Sequence, residues 1–178
     1  MSRRLFVVLW PDAKVRHELT MLQARPEIRA AGGRTVPAKN IHMTLRFLGD
    51  VDASQQGALE ARLADFVFEP VTLTLDRVRY WPGSGILWLG PRKTPRALSV
   101  AVQRLSNQLR VLEYRADRRG FKAHVTLARD ARTAKHFVFN PVTWYAQTIV
   151  LAASERLPQG VRYSVLARSS RAKIACIR

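Results

Sequence analysis

The sequence predicts an α+β fold in two lobes, and two observations lead to this fold class. Predicted hairpins are interspersed with helices, which is typical of α+β proteins with antiparallel strands. The tetrad His-x-Thr-Leu occurs at residues 42–45 and again at residues 124–127, each time in a predicted strand flanked by a helix and further strands. Such a repeat would place the two tetrads on either side of a central cleft. The 178 residues suffice for one domain with its own core, so we assign residues 1–178 to a single domain.

The first half of the chain is predicted to alternate strands with helices. A short apolar run over residues 5–10 predicts a strand. Pro11 and Asp12 then begin a helix to about residue 30, which Pro26 should break or kink. After a connector, the predicted elements are the strand with the first tetrad, a helix over about residues 54–66 and a strand over residues 71–81.

The second half begins with a hairpin, because the Pro-Gly-Ser-Gly turn at residues 82–85 leads into an apolar strand over residues 86–89. Leucines and valines at helical spacing predict a helix over about residues 96–112. A basic loop with Arg115, Arg118 and Arg119 precedes the second tetrad. The remaining predicted elements are a polar loop over residues 130–140 and strands over residues 143–152 and 162–167.

Composition limits the classes of function. The formal net charge of +17 predicts attraction to polyanions, with RNA, DNA and anionic lipid as candidates. The apolar runs are too short to span a membrane, and the run near the N-terminus lacks a signal-peptide cleavage site. A single cysteine, Cys176, excludes an internal disulfide and a cysteine metal cluster. We therefore expect a cytoplasmic protein without a membrane anchor, and a monomer because no large extra apolar surface is indicated.

Both tetrads carry groups suited to acid–base chemistry. In a strand, residues i and i+2 share a face, so His42 with Thr44, and His124 with Thr126, should each point the same way. An imidazole can give or take a proton near neutral pH, and a threonine hydroxyl can donate to an anionic oxygen. Two such pairs suit in-line displacement at phosphorus without a metal. Arg46 shares the predicted face of His42, which makes it a candidate for positive charge near a phosphate.

The chain resembles the two-histidine (2H) phosphoesterase superfamily, and within it the RNA 2′,3′-cyclic phosphodiesterase branch, historically called 2′-5′ RNA ligase. The resemblance spans nearly the whole chain. It rests on Arg-Leu-Phe-Val-Val-Leu-Trp-Pro at residues 4–11, Asn-Ile-His-Met-Thr-Leu-Arg-Phe-Leu-Gly at 40–49, Leu-Trp-Leu-Gly at 87–90, His-Val-Thr-Leu-Ala-Arg at 124–129, Ser154 and Gly-Val-Arg-Tyr at 160–163. The family often has proline just before the second histidine, where this chain has Ala123.

The resemblance implies two lobes of mainly antiparallel sheet, related by a pseudo-twofold axis, with helices outside and the active site in the cleft. It implies metal-free, cofactor-free hydrolysis of RNA 2′,3′-cyclic phosphate ends, tRNA fragments among them, to 2′-phosphates. The reverse reaction would be a 2′-5′ ligation.

By the same resemblance, His42 would protonate the leaving 3′ oxygen and His124 would activate the attacking water. Thr44 and Thr126 would hold the phosphoryl oxygens, and Arg129 would add positive charge. Strict strand alternation places Arg129 on the face opposite His124, so its role requires the strand to twist or end there.

Two alternatives stay open at this stage. One is a non-catalytic basic module that binds RNA ends, although binding alone would not require two imidazoles. The other is a phosphodiesterase acting on small cyclic nucleotides or 2′-5′-linked oligonucleotides; the arginines at positions 115, 118 and 119 favour a polyanionic substrate instead. Phe6, Trp10 and Trp88 could stack on a base, but their apolar runs predict core positions.

Overall fold

A computed structural model of the chain describes residues 2–112, 114, 120–158 and 160–172. The α-helices in these residues are α1 (Ala13–Gln23), α2 (Pro26–Arg29), α3 (Ala53–Ala64) and α4 (Arg96–Arg110). The strands are β1 (Arg3–Leu9), β2 (Arg34–Thr35), β3 (Met43–Val51), β4 (Val67–Phe68), β5 (Val71–Leu75), β6 (Arg77–Trp81), β7 (Ile86–Gly90), β8 (Val125–Arg129), β9 (Val142–Ala146), β10 (Ile149–Leu157), β11 (Gly160–Arg168) and β12 (Ser170–Arg171).

The main sheet has eight strands, in the order β11-β10-β1-β3-β8-β7-β6, with β2 paired to β8. Neighbouring strands in this sheet run antiparallel. Strands β5 and β9 form a separate antiparallel pair, and β12 pairs with β4 in parallel. The predicted α+β class with mainly antiparallel pairing is confirmed.

The side chains of β1 alternate between the two faces of the main sheet. Leu5, Val7 and Leu9 point into the large core that also contains the buried residues of the helices, and we call this side the helix face. Phe6 and Val8 point the other way, into a small cluster with Val150 and Ala152. We call this second side the cleft face. The alternation follows from the period of two in a β-strand.

The two halves of the main sheet meet where β3 and β8 begin. Strands β1, β3, β10 and β11 form one half of the sheet, and β6, β7 and β8 form the other. In the described residues, β3 and β8 pair through Met43 and Val125, and both of these side chains are fully buried. Each strand of this junction therefore starts one residue after a tetrad histidine.

One predicted helix and two predicted strands are each divided into two elements in the structure. The first helix ends at Gln23 and a short second helix begins at Pro26, so the proline breaks the helix as expected. The predicted strand over residues 71–81 is two strands, β5 and β6, which pair with β9 and β7 respectively. Between them the Asp76 carboxylate accepts a hydrogen bond from the backbone N–H of Arg92 at 2.7 Å.

The predicted strand over residues 143–152 is also divided, into β9 and β10. The chain passes from one sheet to the other at Asp76 and again between Ala146 and Ile149. Strand propensity carries no information about pairing partners, so it does not predict where the chain changes sheets. Among the described helices, none is long and apolar enough to cross a membrane.

Candidate active site

His42 is held by its own backbone at the start of β3. Its Nδ1 lies 2.7 Å from the carbonyl oxygen of Asn40. A carbonyl oxygen only accepts, so Nδ1 must carry the proton and donate it. The neutral ring therefore has its lone pair on Nε2, which lies 3.1 Å from Oγ1 of Thr44. The Asn40 side chain donates in turn to the Val161 carbonyl at 2.9 Å, which ties this segment to β11.

His124 is held in the same way at the start of β8. Its Nδ1 donates to the carbonyl oxygen of Lys122 at 2.8 Å, again two residues back along the chain. The neutral ring consequently has its lone pair on Nε2, as in His42. The repeated hydrogen bond shows that the two tetrads share backbone geometry as well as sequence.

The pairing of β3 with β8 brings the two tetrads together. Met43 and Val125 are directly opposed in antiparallel register. Continued by one residue in each direction, this register sets His42 opposite Thr126 and His124 opposite Thr44. These four residues alternate with the buried Met43 and Val125, so their side chains share the cleft face. The histidines are close enough that a charge on His124 lowers the pKa of His42.

Arg129 reaches this cluster because β8 contains a β-bulge. Against β7, strand β8 advances by two residues, from Thr126 to Ala128, while β7 advances by one. Leu127 is the extra residue, and both Leu127 and Ala128 are buried. A bulge shifts the alternation by one residue, which returns Arg129 to the cleft face. Its charge lowers the pKa values of both His42 and His124.

The bulge is supported from the helix face. The carbonyl oxygen of Leu127 accepts hydrogen bonds from the side-chain amide of Gln23 at 2.7 Å and from the backbone N–H of Val36 at 2.9 Å. Gln23 is itself buried. Helix α1 and the segment after β2 thus fix the backbone that directs Arg129 toward the histidines.

The expectation that Arg46 shares the face of His42 is wrong. Against β1, strand β3 advances by two residues from Thr44 to Arg46 while β1 advances by one. Leu45 is the extra residue, and the bulge reverses the alternation. Arg46 is consequently opposite Val7, on the helix face.

The surroundings of Arg46 are those of a structural residue. Its side chain is 7% exposed, and its Nη2 lies 3.5 Å from the Tyr114 carbonyl oxygen. The Tyr114 hydroxyl donates to Gln55 on α3 at 3.2 Å. Arg46 therefore lies beneath the sheet, between β3 and the segment after α4, and away from the histidines.

Aromatic rings enclose His42. Its ring centroid lies 5.3 Å from Tyr163, 5.4 Å from Phe6 and 6.1 Å from Trp10. Phe6 is buried, as the sequence predicted, but on the cleft face and not in the main core. The pKa of His42 is lowered to about 4, chiefly by burial and further by the charges of Arg129 and His124, against the opposing effect of the hydrogen bond to Asn40.

His124 has aromatic neighbours of a different kind. The Trp81 ring lies 4.7 Å away and the Trp88 ring 6.1 Å away, both edge-on. The Lys122 ammonium lies 5.1 Å from the Trp88 ring and 5.8 Å from the Trp81 ring. Burial lowers the pKa of His124, with smaller contributions from the charges of Arg129 and Lys122.

Sequence reasoning missed Tyr163, Trp81 and Lys122 as neighbours of the histidines. Lys122 could have been found, because it precedes His124 by two residues as Asn40 precedes His42. Tyr163 and Trp81 lie on strands whose pairing the local sequence does not specify. Arg115, Arg118 and Arg119 lie outside the described residues, and so does Cys176.

The described residues contain no group of three or more His, Cys, Asp or Glu side chains placed to hold a metal ion. The site is instead made of two imidazoles, two hydroxyls and a guanidinium. Such a set offers one proton acceptor, one potential proton donor and several donors for anionic oxygens.

The chain is similar to several known proteins. A family model described as "LigT like Phosphoesterase" matches residues 9–88. A protein of Escherichia coli strain K12, named RNA 2′,3′-cyclic phosphodiesterase, is 36% identical over 173 residues, covering 93% of this chain and 95% of that protein. One of the same name from Archaeoglobus fulgidus is 29% identical over 132 residues, covering 72% of this chain and 73% of its own.

A solved structure has a similar fold. The crystal structure of E. coli LigT complexed with 3′-AMP matches with a TM-score of 0.80 and 31% identity, covering 94% of this chain and 96% of that one.

Proposed function

The chain belongs to the LigT-like phosphoesterases of the 2H superfamily, hydrolases that act on phosphoric diesters, and from this premise we propose that it opens RNA 2′,3′-cyclic phosphate ends to 2′-phosphates with His42 and His124 as the acid–base pair. The observation that carries the proposal is the pairing of Met43 with Val125. It brings both tetrads to one place on the cleft face, each with its histidine Nδ1 committed to a backbone carbonyl. The names and ligands of the relatives support an RNA substrate.

The proposed reaction assigns one half of the chemistry to each histidine. Nε2 of His124 takes a proton from water as the water oxygen attacks phosphorus. The bond between phosphorus and the 3′ oxygen breaks, and Nε2 of His42 donates its proton to that oxygen. Thr44, Thr126 and Arg129 stabilise the negative charge on the non-bridging oxygens. Each turnover leaves the proton on the opposite histidine, so the pair must exchange protons with solvent before the next cycle.

His42 must be protonated to act as the acid, although its pKa in the free protein is about 4. A bound phosphodiester supplies a negative charge that favours the protonated imidazole. It also neutralises Arg129, one of the charges that lowers the pKa of His42. We therefore propose that substrate binding is coupled to proton uptake at His42.

The same groups could join two RNA ends. If a 5′-hydroxyl took the place of the attacking water, its oxygen would bond to phosphorus and its proton would pass to Nε2 of His124, while the 3′ oxygen would leave with the proton from His42. The product would be a 2′-5′ linkage, and no nucleotide cofactor would be needed. Hydrolysis should dominate because water is in large excess over RNA ends. A monomeric state and a cytoplasmic location remain predictions alongside this activity.

The proposal is tested with an RNA oligonucleotide ending in a 2′,3′-cyclic phosphate, incubated with the protein in EDTA, with the product identified by ³¹P NMR. The expected product is the 2′-phosphate. His42→Ala and His124→Ala should each lower kcat/KM by about 10²–10⁴-fold, the usual contribution of general acid–base catalysis. His17→Ala is the matched control, because His17 is an exposed histidine on α1.

The outcomes separate the alternatives. No turnover by the wild type, with the oligonucleotide still bound, would replace the hydrolase by a module that binds RNA ends. Turnover that vanished in EDTA would contradict the metal-free mechanism. Faster turnover of nucleoside 2′,3′-cyclic monophosphates than of the oligonucleotide would favour a small-nucleotide substrate.

A further inference from the structure

We infer that the cleft face of the half-sheet β11-β10-β1-β3, around Phe47 and Arg4, binds upstream nucleotides of a single-stranded RNA whose 3′ end lies at His42. This inference rests on the proposed function and extends it to the substrate class. We call this area the upstream surface. It consists of Arg4, Phe47, Val161 and Val165. Neither the tetrads nor the residues that enclose the histidines include any of these four.

Phe47 is on the cleft face and is exposed. It is directly opposite Phe6 in the β1–β3 register, and directly opposed residues share a face. Phe6 contacts the His42 ring. Phe47 is nevertheless 53% exposed, which is a large exposed fraction for an aromatic side chain beside a catalytic cluster. An exposed ring in this position offers a flat surface on which a base can stack.

Arg4 holds a positive charge against this ring. Its guanidinium lies 4.9 Å from the Phe47 ring centroid, within the range of a cation–π contact. Arg4 is two residues from Phe6 on β1, so it also points to the cleft face. Burial raises the pKa of the Tyr163 hydroxyl, and the charges of Arg129 and Arg4 partly offset this effect. Arg4 therefore contacts the exposed ring and acts electrostatically on Tyr163, one of the rings that enclose His42.

The apolar area continues across the sheet. Val165 is opposite Ala152, which is opposite Phe6, so all three are on the cleft face. Val165 is 45% exposed. Val161 precedes Tyr163 by two residues on β11 and so lies on the same face, and it is 38% exposed. Proteins that bind single-stranded nucleic acids combine aromatic surfaces, on which the bases stack, with cations that contact the backbone. The upstream surface has both features.

The upstream surface is continuous with the proposed site. Tyr163 contacts His42 at 5.3 Å and Phe6 at 5.1 Å, and Phe6 lies beside Phe47 in the register. An RNA with its cyclic phosphate between the histidines could therefore extend over β1 and β3 without leaving the cleft face. Phe47 is separated from His42 by five positions and one bulge of β3, so we place it against a nucleotide upstream of the terminal one.

Charge favours RNA over a second copy of the chain as the occupant. The net charge of +17 attracts a polyanion and opposes the approach of a second protein with the same charge. At this surface, Asp50 lies directly opposite Arg4 in the β1–β3 register, so this end of the sheet carries one cation and one carboxylate, and the net charge of the protein decides the occupant. A phosphodiester backbone would accept hydrogen bonds from the Arg4 guanidinium.

The experiment compares two substrates in each variant: an oligonucleotide and a nucleoside, each ending in a 2′,3′-cyclic phosphate. The readout is the ratio of kcat/KM for the oligonucleotide to that for the nucleoside cyclic phosphate. Loss of one stacked base predicts that Phe47→Ala lowers this ratio about tenfold. Phe47→Trp should retain the ratio because the indole also stacks. Arg4→Gln should lower the ratio and weaken its dependence on salt.

Two exposed residues on the helices provide matched controls: Met21→Ala on α1 for the apolar change, and Arg62→Ala on α3 for the loss of a cation. Neither should change the ratio. An unchanged ratio in Phe47→Ala would overturn the inference. So would a dimer of the wild-type protein, measured by analytical ultracentrifugation, that Phe47→Ala dissociates.

Failure of the proposed function would be recognisable separately. If the wild type turned over neither substrate, direct binding of the same oligonucleotide with a 2′-phosphate end would replace turnover as the readout. Weaker binding by Phe47→Ala than by Met21→Ala would then support the upstream surface. Equal binding by the two variants would overturn it.

Discussion

The two tetrads have the same backbone geometry but different surroundings. In both, the histidine Nδ1 donates to the carbonyl two residues before it, and a buried residue follows at the start of the strand. His42 is enclosed by Phe6, Trp10 and Tyr163. His124 instead lies edge-on to the rings of Trp81 and Trp88, and the Lys122 ammonium lies over the Trp88 ring. The repeat thus fixes where each imidazole points, while unrelated side chains set how readily each one binds a proton.

The largest expected effect of the different surroundings of the two histidines is on the free energy of unfolding at low pH. The pKa of His42 is about 4 in the folded protein against 6.5 in the unfolded chain, so the folded state binds this proton less readily. The stabilisation is complete above pH 6.5 and is lost as the pH falls toward 4. His42 alone should lower the free energy of unfolding by about 3 kcal/mol between pH 7 and pH 4.

Urea unfolding of the wild type and of His42→Asn at several pH values measures this effect. Asparagine retains an N–H that can donate to the Asn40 carbonyl but has no proton to gain. The two proteins should converge in stability toward pH 4. A constant difference from pH 7 to pH 4 would show that the aromatic neighbours do not depress the pKa of His42.

The second expected effect concerns the position of His124. A Cβ added to Gly90 would lie 2.5 Å from the carbonyl oxygen of Ala123 and 2.8 Å from the Trp88 ring. Gly90→Ala must therefore displace the residue that directly precedes His124. A displacement on the order of 1 Å can reduce turnover about 100-fold. We expect a loss of that size in kcat, while the pKa of His42 in the other half stays unchanged.

Gly57→Ala is the matched control, because the added Cβ meets nothing within 4 Å. This position is inside α3, where alanine is favoured over glycine by about 1 kcal/mol. The control should be slightly more stable than the wild type and fully active. Full activity in Gly90→Ala would contradict the proposed sensitivity of His124.

The smallest expected effect is a change in the pKa values of both histidines. Arg129 lowers the pKa of His42 and of His124, so Arg129→Gln should raise both values. NMR titration of the two rings measures the shifts, and Arg62→Gln, at an exposed position of α3, is the control. A shift in one ring alone would mean that Arg129 belongs to one half of the site and not to both.

The sequence was sufficient to predict the α+β class, the break at Pro26 and the shared face of each His-Thr pair. It could not predict the bulges at Leu45 and Leu127, because a bulge depends on the partner strand. The two bulges had opposite consequences for the arginine predictions: one moved Arg46 to the helix face, and the other returned Arg129 to the cleft face. Simple alternation predicts both positions wrongly for the same physical reason.

The aromatic neighbours show a similar limit. Phe6 and Trp88 are buried as expected, but the apolar runs that contain them do not reveal which of the two sheet faces each ring occupies. That choice depends on register, and Tyr163 and Trp81 become neighbours of the histidines only through the order of strands in the sheet. The residues of each tetrad could be recognised from the local sequence. The rings that surround each histidine and affect its pKa could be identified only from the pairing of distant strands.

The most direct test of the central claim compares His42→Ala, His124→Ala and the double variant in hydrolysis of a 2′,3′-cyclic phosphate end. Residues that act as one catalytic unit give strongly non-additive losses. If the two tetrads form a single acid–base site, kcat/KM of the double variant will lie within a few-fold of the more damaged single variant. Losses that multiply would show that the two histidines act independently and would contradict the shared site.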